Sequence, residues 1–264
     1  MTDQSPHPRI ALVTGAGSGI GRACAETFAS QGAVVAAVGH DRDEAQETVD
    51  AIAAAGGEAV AFAAELAEPE SVAALFDKVR QRWDRLDVVV ANAGINGVWA
   101  PLDELSVDDW NQTLSVNLTG TFLTVKHALP LLRAAGGGSV VVTSSVNGTR
   151  MFGNSGASAY ATSKAGQVAF AKMLAVELAP EQIRVNVICP GSIDTEIGQN
   201  TEQRGLDTIG RPATYPEGQI PLTGKVPGTS QQVADLVAFL ASDAASHITG
   251  TEVWIDGGQS LLAG

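Results

Sequence analysis

Two hydrophobic rhythms replace one another along this chain. Ile10-Ala11-Leu12-Val13-Thr14 is a continuous apolar run of strand length, the pattern of a strand covered on both faces. A glycine-rich turn follows, then Arg22 to Gln31 reads as a helix closed by Gly32. The same exchange repeats. Strands are predicted at Val34–Val38, Ala59–Ala63, Asp87–Ala91, Ser139–Thr143, Arg184–Cys189 and Glu252–Ile255. Helices are predicted between them, at Glu44–Ala55 and at Pro69–Trp83, where Val72, Leu75, Phe76 and Val79 make one apolar stripe. Ser106, with Asp109 three residues on, reads as the N-cap of a long helix reaching about Leu132, which Pro130 is expected to kink or end. A helix carrying Tyr160 and a last one at Ser230–Leu240 complete the set.

Regular βα alternation predicts an α/β fold, a Rossmann-like, doubly wound parallel sheet with helices on both faces. No repeat or low-complexity linker interrupts it, so residues 1–264 are expected to form a single domain, with a flexible tail at 1–8. One segment departs from the rhythm. Asp194 to Thr229 contains Pro212, Pro216, Pro221 and Pro227 with little periodicity, and it leaves the sheet beside the expected ligand crevice. Long ordered loops of this kind are usually functional, so 194–229 is expected to be a substrate lid.

Composition narrows the field of functions. The 264 residues are 45% hydrophobic and 17% charged, which describes a globular protein. A net charge of -13 with no basic block argues against a nucleic-acid partner. Cys24 and Cys189 sit in apolar runs without CxxC spacing and read as buried free thiols in a reducing compartment. Met1 to Pro8 has no signal-peptide character and no apolar run is long enough to span a bilayer, so a cytoplasmic protein is expected.

The candidate chemistry centres on Tyr160-Ala161-Thr162-Ser163-Lys164. A Tyr and a Lys four apart share one helix face. A phenol ordinarily titrates near ~10, and an adjacent ammonium favours its ionised form, so the pair reads as a general acid/base. A surface helix bearing one Tyr and one Lys is the bland alternative, and the surroundings decide against it. The strand before the helix runs into Ser144-Ser145-Val146-Asn147-Gly148, and the strand after it ends in Pro190-Gly191. In open α/β sheets ligands lie beyond the carboxyl ends of strands. At the first such end, Gly15-Ala16-Gly17-Ser18-Gly19-Ile20-Gly21 has the spacing Gly15-xxx-Gly19-x-Gly21. It is not G-x-G-x-x-G, since Arg22 stands where the third glycine would be. Placed between a first strand and a helix, it suits a pyrophosphate.

With these motifs goes a resemblance, over Arg9 to Gly258, to the short-chain dehydrogenase/reductase family. It is carried by Thr14-Gly15-xxx-Gly19-x-Gly21, Asn92-Ala93-Gly94, Val116-Asn117, Ser145, Tyr160-xxx-Lys164, Pro190-Gly191, Ile248-Thr249-Gly250 and Asp256-Gly257-Gly258. The resemblance implies an NAD(P)-dependent oxidoreductase acting on a small-molecule alcohol/carbonyl pair. Tyr160 would be the acid/base, Lys164 would hold a ribose hydroxyl and lower the Tyr160 pKa, and Ser145 would bind the substrate oxygen. Ser144 competes with Ser145, which is preferred because Ser145-Val146-Asn147-Gly148 matches the family's Ser-Val-x-Gly run. Asn117 would hold a water linking Lys164 to solvent.

For the cofactor the resemblance implies Gly15, Ser18, Gly19, Ile20 and Gly21 at the pyrophosphate, and Leu66, Asn92, Ala93 and Gly94 on the adenosine side. Pro190, Gly191, Ile193 and Thr195 would surround the nicotinamide. No metal is expected. By register, Gly39 occupies the slot that is acidic in NAD enzymes and His40 the slot that is often Arg in NADP enzymes. With Arg42 nearby the balance leans to NADP, although Asp41 lies about twenty residues past the glycine turn, where an acid is expected. A homotetramer is implied, paired through the long helix and the Tyr160 helix, whose outer face would carry Val168, Ala169, Lys172 and Met173. The alternative activity is 3-oxoacyl-[acyl-carrier-protein] reductase, which needs basic residues to dock an acidic carrier. Here Ala134 to Gly138 and Pro180-Glu181-Gln182 stand where those would be, with Arg133 and Arg150 the nearest substitutes. A protein that kept the fold and lost the chemistry is disfavoured by the presence of both Tyr160 and Lys164.

Overall fold

In the computed structural model, residues 7–210 and 215–262 are described. Most of the tail expected at 1–8, and residues 211–214 of the expected lid, lie outside the described residues. The first half runs β1 (Ile10–Thr14), α1 (Gly19–Ser30), β2 (Val34–Gly39), α2 (Arg42–Ala54), β3 (Glu58–Ala63), α3 (Pro69–Arg82) and β4 (Val88–Ala91). A short β5 (Val98–Trp99) precedes α4 (Val107–Leu114) and α5 (Gly120–Ala134). Then come β6 (Gly138–Thr143), α6 (Ser158–Leu178), β7 (Ile183–Pro190), β8 (Ile193–Asp194), β9 (Glu202–Gln203), β10 (Gly228–Thr229), α7 (Ser230–Ala241) and β11 (Glu252–Ile255).

Seven strands make one sheet in the order β11-β7-β6-β4-β1-β2-β3, every recorded pairing being parallel. The alternation of side chains along each strand divides the core in two. Leu12, Val89, Val140 and Val142 pack with α3, α5 and α6 on one face. Val13, Val90 and Val141 pack with α1 and α7 on the other. Because both faces are covered at the centre of the sheet, β1, β2 and β4 are buried throughout and read as unbroken apolar runs, and that is why the sequence revealed them. The chain order reverses between β1 and β4, so the carboxyl ends of β1, β4, β6 and β7 open onto one crevice.

Two expectations shift. Helix α1 begins at Gly19, inside the glycine turn, and not at Arg22. This brings the first helical amides to the edge of the crevice. The long helix does start at Ser106, whose hydroxyl accepts from Asp109 N–H at 3.1 Å. It reaches Ala134, close to the expected Leu132, and Pro130, expected to kink or end it, lies inside α5 and does not end it. Leu123, Val125, Ala128, Leu131 and Leu132 bury against the sheet and hold the last turns in place. Their combined burial exceeds the roughly 3 kcal/mol that an interior proline costs a helix. Between α4 and α5, Ser115–Thr119 winds as a π-helical turn.

The segment after β7 is tied at four places. Beginning and end are joined by parallel pairing of β8 with β10, through Ile193↔Gly228 and Asp194↔Thr229. Its outgoing limb pairs with β5, through Val98↔Glu202 and Trp99↔Gln203. Asn96 Nδ2 donates to Thr201 Oγ1 at 2.6 Å, and Arg204 Nη1 donates to Asp109 Oδ2 at 2.9 Å.

Candidate active site

At the carboxyl end of β6 the two serines take different directions. Ser144 Oγ donates to the Lys164 carbonyl at 2.9 Å and so fastens β6 to α6. Ser145 lines the same cleft as Tyr160, where its hydroxyl draws the phenol pKa down. Its Oγ also accepts from Asn147 N–H at 3.1 Å, which fixes its rotamer. Geometry therefore separates the two: Ser144 is spent on the backbone, and Ser145 faces the phenol.

Tyr160 and Lys164 share one face of α6 and are 7% and 3% exposed. Lys164 Nζ donates to the Thr143 carbonyl at 2.9 Å and stands 5.6 Å from the centre of the Tyr160 ring. The expected lowering of the phenol pKa by Lys164 is absent. Burial raises the Tyr160 pKa above its ordinary 10.0, and the Ser145 hydroxyl offsets this in part. Lys164 itself is brought from 10.5 down to about 8 by burial. Desolvation wins because the ammonium aims at a strand carbonyl and not at the phenol oxygen.

Asn117 sits in the π turn, fully buried. Such a widened turn displaces side chains from the register of the flanking helix. Its Oδ1 accepts from Ile95 N–H at 2.8 Å, and its Nδ2 donates to the Ile95 carbonyl at 2.9 Å and to Ser163 Oγ at 3.0 Å. The Asn117 carbonyl accepts from Thr121 Oγ1 and Gln167 Nε2. Both amide hydrogens are thus used, and Ile95 N–H takes one of the two lone pairs of Oδ1. A side chain on Gly94 would crowd this corner, its Cβ falling 3.1 Å from Asn117 Oδ1 and 3.4 Å from Lys164 Nζ.

A groove extends from this centre in two clefts that share Gly15, Ser18, Glu44, Ala93 and Gly94. The first also holds Gly19, Ile20, Asn92, Ser145, Tyr160, Lys164, Pro190, Gly191, Ile193 and Thr195. The second holds His40 and Leu66 with Gly39 and Glu65. Every expected cofactor residue lines the groove except Gly21. That glycine lies beneath the turn: a Cβ on it would fall 2.0 Å from the Gly15 carbonyl oxygen, so its role is close packing. Sequence reading missed Glu44, Glu196 and Ile197, which line the groove from α2 and from the segment after β8. Spacing carried no signal for them.

The groove suits a dinucleotide. Gly15 and Gly19 take φ of +67° and +51°, the left-handed region that lets backbone turn tightly at the end of β1. Ser18 is the N-cap of α1 yet makes no side-chain cap hydrogen bond, so the first amides of that helix are not engaged by it. An anion is favoured at such an end. Across the groove, a Cβ on Gly19 would lie 3.3 Å from Thr195 Cγ2. Thr14 Oγ1 accepts from both Asn92 N–H and Ala93 N–H, which locks the ends of β1 and β4 together under the groove.

Comparison with known proteins agrees. A family model described as enoyl-(acyl carrier protein) reductase matches residues 15–260. The chain is 38% identical to a cis-4-hydroxycyclohexanecarboxylate dehydrogenase of Sinomonas cyclohexanicum, over 96% of this chain and 97% of that one. It is 36% identical to a cyclohexanol dehydrogenase of an Acinetobacter strain, over 94% of each. Among solved structures, a 3-ketoacyl-ACP reductase from Sinorhizobium meliloti superposes with a TM-score of 0.92 at 47% identity, covering 96% of this chain and 99% of the other.

Proposed function

The chain belongs to the short-chain dehydrogenase/reductase family of NAD(P)(H)-dependent oxidoreductases acting on CH–OH groups, and on that premise we propose that it interconverts a small free secondary alcohol and its ketone at Tyr160. The observation that carries this is the convergence of Tyr160, Ser145 and Lys164 at one end of a groove whose middle is the open amino end of α1. The bound nicotinamide supplies or accepts the hydride. In reduction, the Tyr160 hydroxyl gives its proton to the carbonyl oxygen, while the Ser145 hydroxyl donates a hydrogen bond to the same oxygen and stabilises its growing charge. In oxidation the proton returns to Tyr160. Lys164, held at the Thr143 carbonyl, would bind a ribose hydroxyl, and Asn117 holds this corner through Ile95 and Ser163.

Alicyclic substrates are favoured by the relatives named for cyclohexane alcohols. The carrier-protein alternative is favoured by the Sinorhizobium neighbour. Against it, both substitute basic residues are engaged. Arg133 forms an ion pair with Glu181, and Arg150 stacks 3.5 Å above the Trp254 ring. A panel of cyclic and acyclic alcohols and ketones, followed by nicotinamide absorbance, tests the reading. It fails if no member of the panel turns over.

Residues 194–229 serve as the substrate lid of a single domain in this proposal, pinned by the β8–β10 and β5–β9 pairings. The protein works in the cytoplasm, in keeping with two buried free thiols, Cys24 and Cys189, which burial raises to about 12. No described helix is long and apolar enough to cross a membrane. We further propose a homotetramer. Val168 does not belong to its surface, being buried in the core. Phe122, Met173 and Val176 are the exposed apolar residues of α5 and α6 available for pairing. Light scattering that gives a monomer at micromolar concentration overturns this.

A further inference from the structure

The acid that spacing singles out for the adenosine ribose is Asp41, and the fold uses it elsewhere. It is the N-cap of α2, where Asp43 N–H donates to its Oδ1 at 2.7 Å. Nor is the last residue of β2 available. A Cβ on Gly39 would fall 2.4 Å from the Asp41 carbonyl oxygen, so no acidic side chain fits there without moving the turn.

Three carboxylates line the groove: Glu196 lies in the catalytic cleft alone, Glu65 in the other is paired with His40, and Glu44, from the first turn of α2, lines both. Glu44 folds back over the glycine turn: a Cβ on Gly17 would lie 2.8 Å from Glu44 Cβ and 3.0 Å from its Oε2. The bare Gly17 is what lets this side chain settle there. Glu44 lines both clefts, so it stands where the catalytic half of the groove meets the half holding Gly39, His40 and Leu66. Among the described residues no hydrogen bond or ion pair engages its carboxylate. Nearby basic side chains are otherwise committed, Arg22 to Glu26 and His40 Nδ1 to Glu65 at 3.1 Å. Arg42 is exposed and is the one cation near this end with no recorded partner among the described residues.

We propose that Glu44, in place of a residue at the end of β2, selects the cofactor: its carboxylate accepts a hydrogen bond from the adenosine ribose 2′-hydroxyl and repels a 2′-phosphate, so that NAD is preferred over NADP. The inference rests on the dinucleotide reading of the groove, and it replaces the lean to NADP drawn from Gly39, His40 and Arg42. An unpaired carboxylate is an acceptor only, which suits a hydroxyl, and it meets a phosphate as a like charge.

Isothermal titration of the full chain with NADH and NADPH tests it, together with a pair lacking nicotinamide, ADP-ribose and 2′-phospho-ADP-ribose. Wild type is expected to bind the unphosphorylated member of each pair about tenfold tighter or more, a difference of ~1.4 kcal/mol. Glu44→Gln keeps the size and removes the charge. It should shift both ratios about fivefold or more toward the phosphorylated ligand, chiefly by tightening it. Added salt should narrow the wild-type ratio more than that of the variant. A wild-type preference for NADPH overturns the proposal, as does a Glu44→Gln variant that leaves the ratios unmoved. If Arg42→Gln, and not Glu44→Gln, changes the ratios, selection lies with Arg42 and the proposal falls. Binding of neither dinucleotide overturns the groove reading along with Glu44, whereas binding of both with an unmoved ratio removes Glu44 alone.

Discussion

Lys164 Nζ is hydrogen-bonded to the Thr143 carbonyl at 2.9 Å, at the last residue of β6. The ammonium is thereby anchored to the sheet, one residue before the serine pair, and it cannot swing freely towards the phenol. Burial brings its pKa from 10.5 to about 8.

That shift has a stability consequence. Between about 8 and 10.5 the unfolded chain binds the Lys164 proton and the folded chain does not, so stability from this group rises with pH across that window. Below about 8 both states are charged, and the cost of burying the ammonium is fully present. The melting temperature of wild type relative to Lys164→Met, free of cofactor, is expected to increase as pH climbs through the window. A flat or falling difference would show that Lys164 is not desolvated.

Tyr160→Phe removes only the transferable proton. Turnover is expected to fall by about 10²–10⁴, the usual worth of general acid/base catalysis. Cofactor binding, measured by titration calorimetry, should stay within about twofold of wild type, since a shift of that size is under ~0.5 kcal/mol. Lys164→Met should damage both, because Lys164 is assigned to the ribose as well. Near wild-type kcat in Tyr160→Phe would remove it from the acid/base role.

The two serines should separate by readout. Ser145→Ala is expected to lower kcat by about 10²–10³, the scale for loss of one donor at a developing oxyanion. Ser144→Ala loses the hydrogen bond to the Lys164 carbonyl, and its first effect should be on stability, about 1 kcal/mol in denaturant unfolding. The reverse ranking would exchange their roles.

Substrate class is tested by charge. With a net charge of -13 and with Arg133 and Arg150 both engaged, an acidic carrier is repelled at long range. An acetoacetyl group on a small thioester should therefore be reduced with a kcat/KM at least equal to that of the same group on carrier protein, at low and moderate salt. A strong preference for the carrier-bound group that weakens with salt would restore the carrier-protein reductase reading.

Short-range regularities were enough for the sequence to determine the seven sheet strands and the βα alternation. The central strands, buried on both faces, are apolar throughout, and a Tyr and a Lys four apart fall on one helix face. The glycine turn is equally local, since the positive φ of Gly15 and Gly19 is a requirement on single residues. What only the tertiary structure decided are relations between distant segments. The preference for Ser145 over Ser144, drawn from the resemblance, finds its physical reason only here: Ser144 is bound to the carbonyl of Lys164, twenty residues away. Asn117 reaches Ile95 and Ser163 from a π turn that no periodicity announced. Pro130 stays inside a helix because the sheet beneath α5 outweighs a local preference. Asp41, picked out by spacing, caps a helix, and Glu44 reaches the groove because Gly17, on another element, leaves room for it. Spacing along a chain sets which residues share a face, whereas room and competing partners exist only once the segments are packed together.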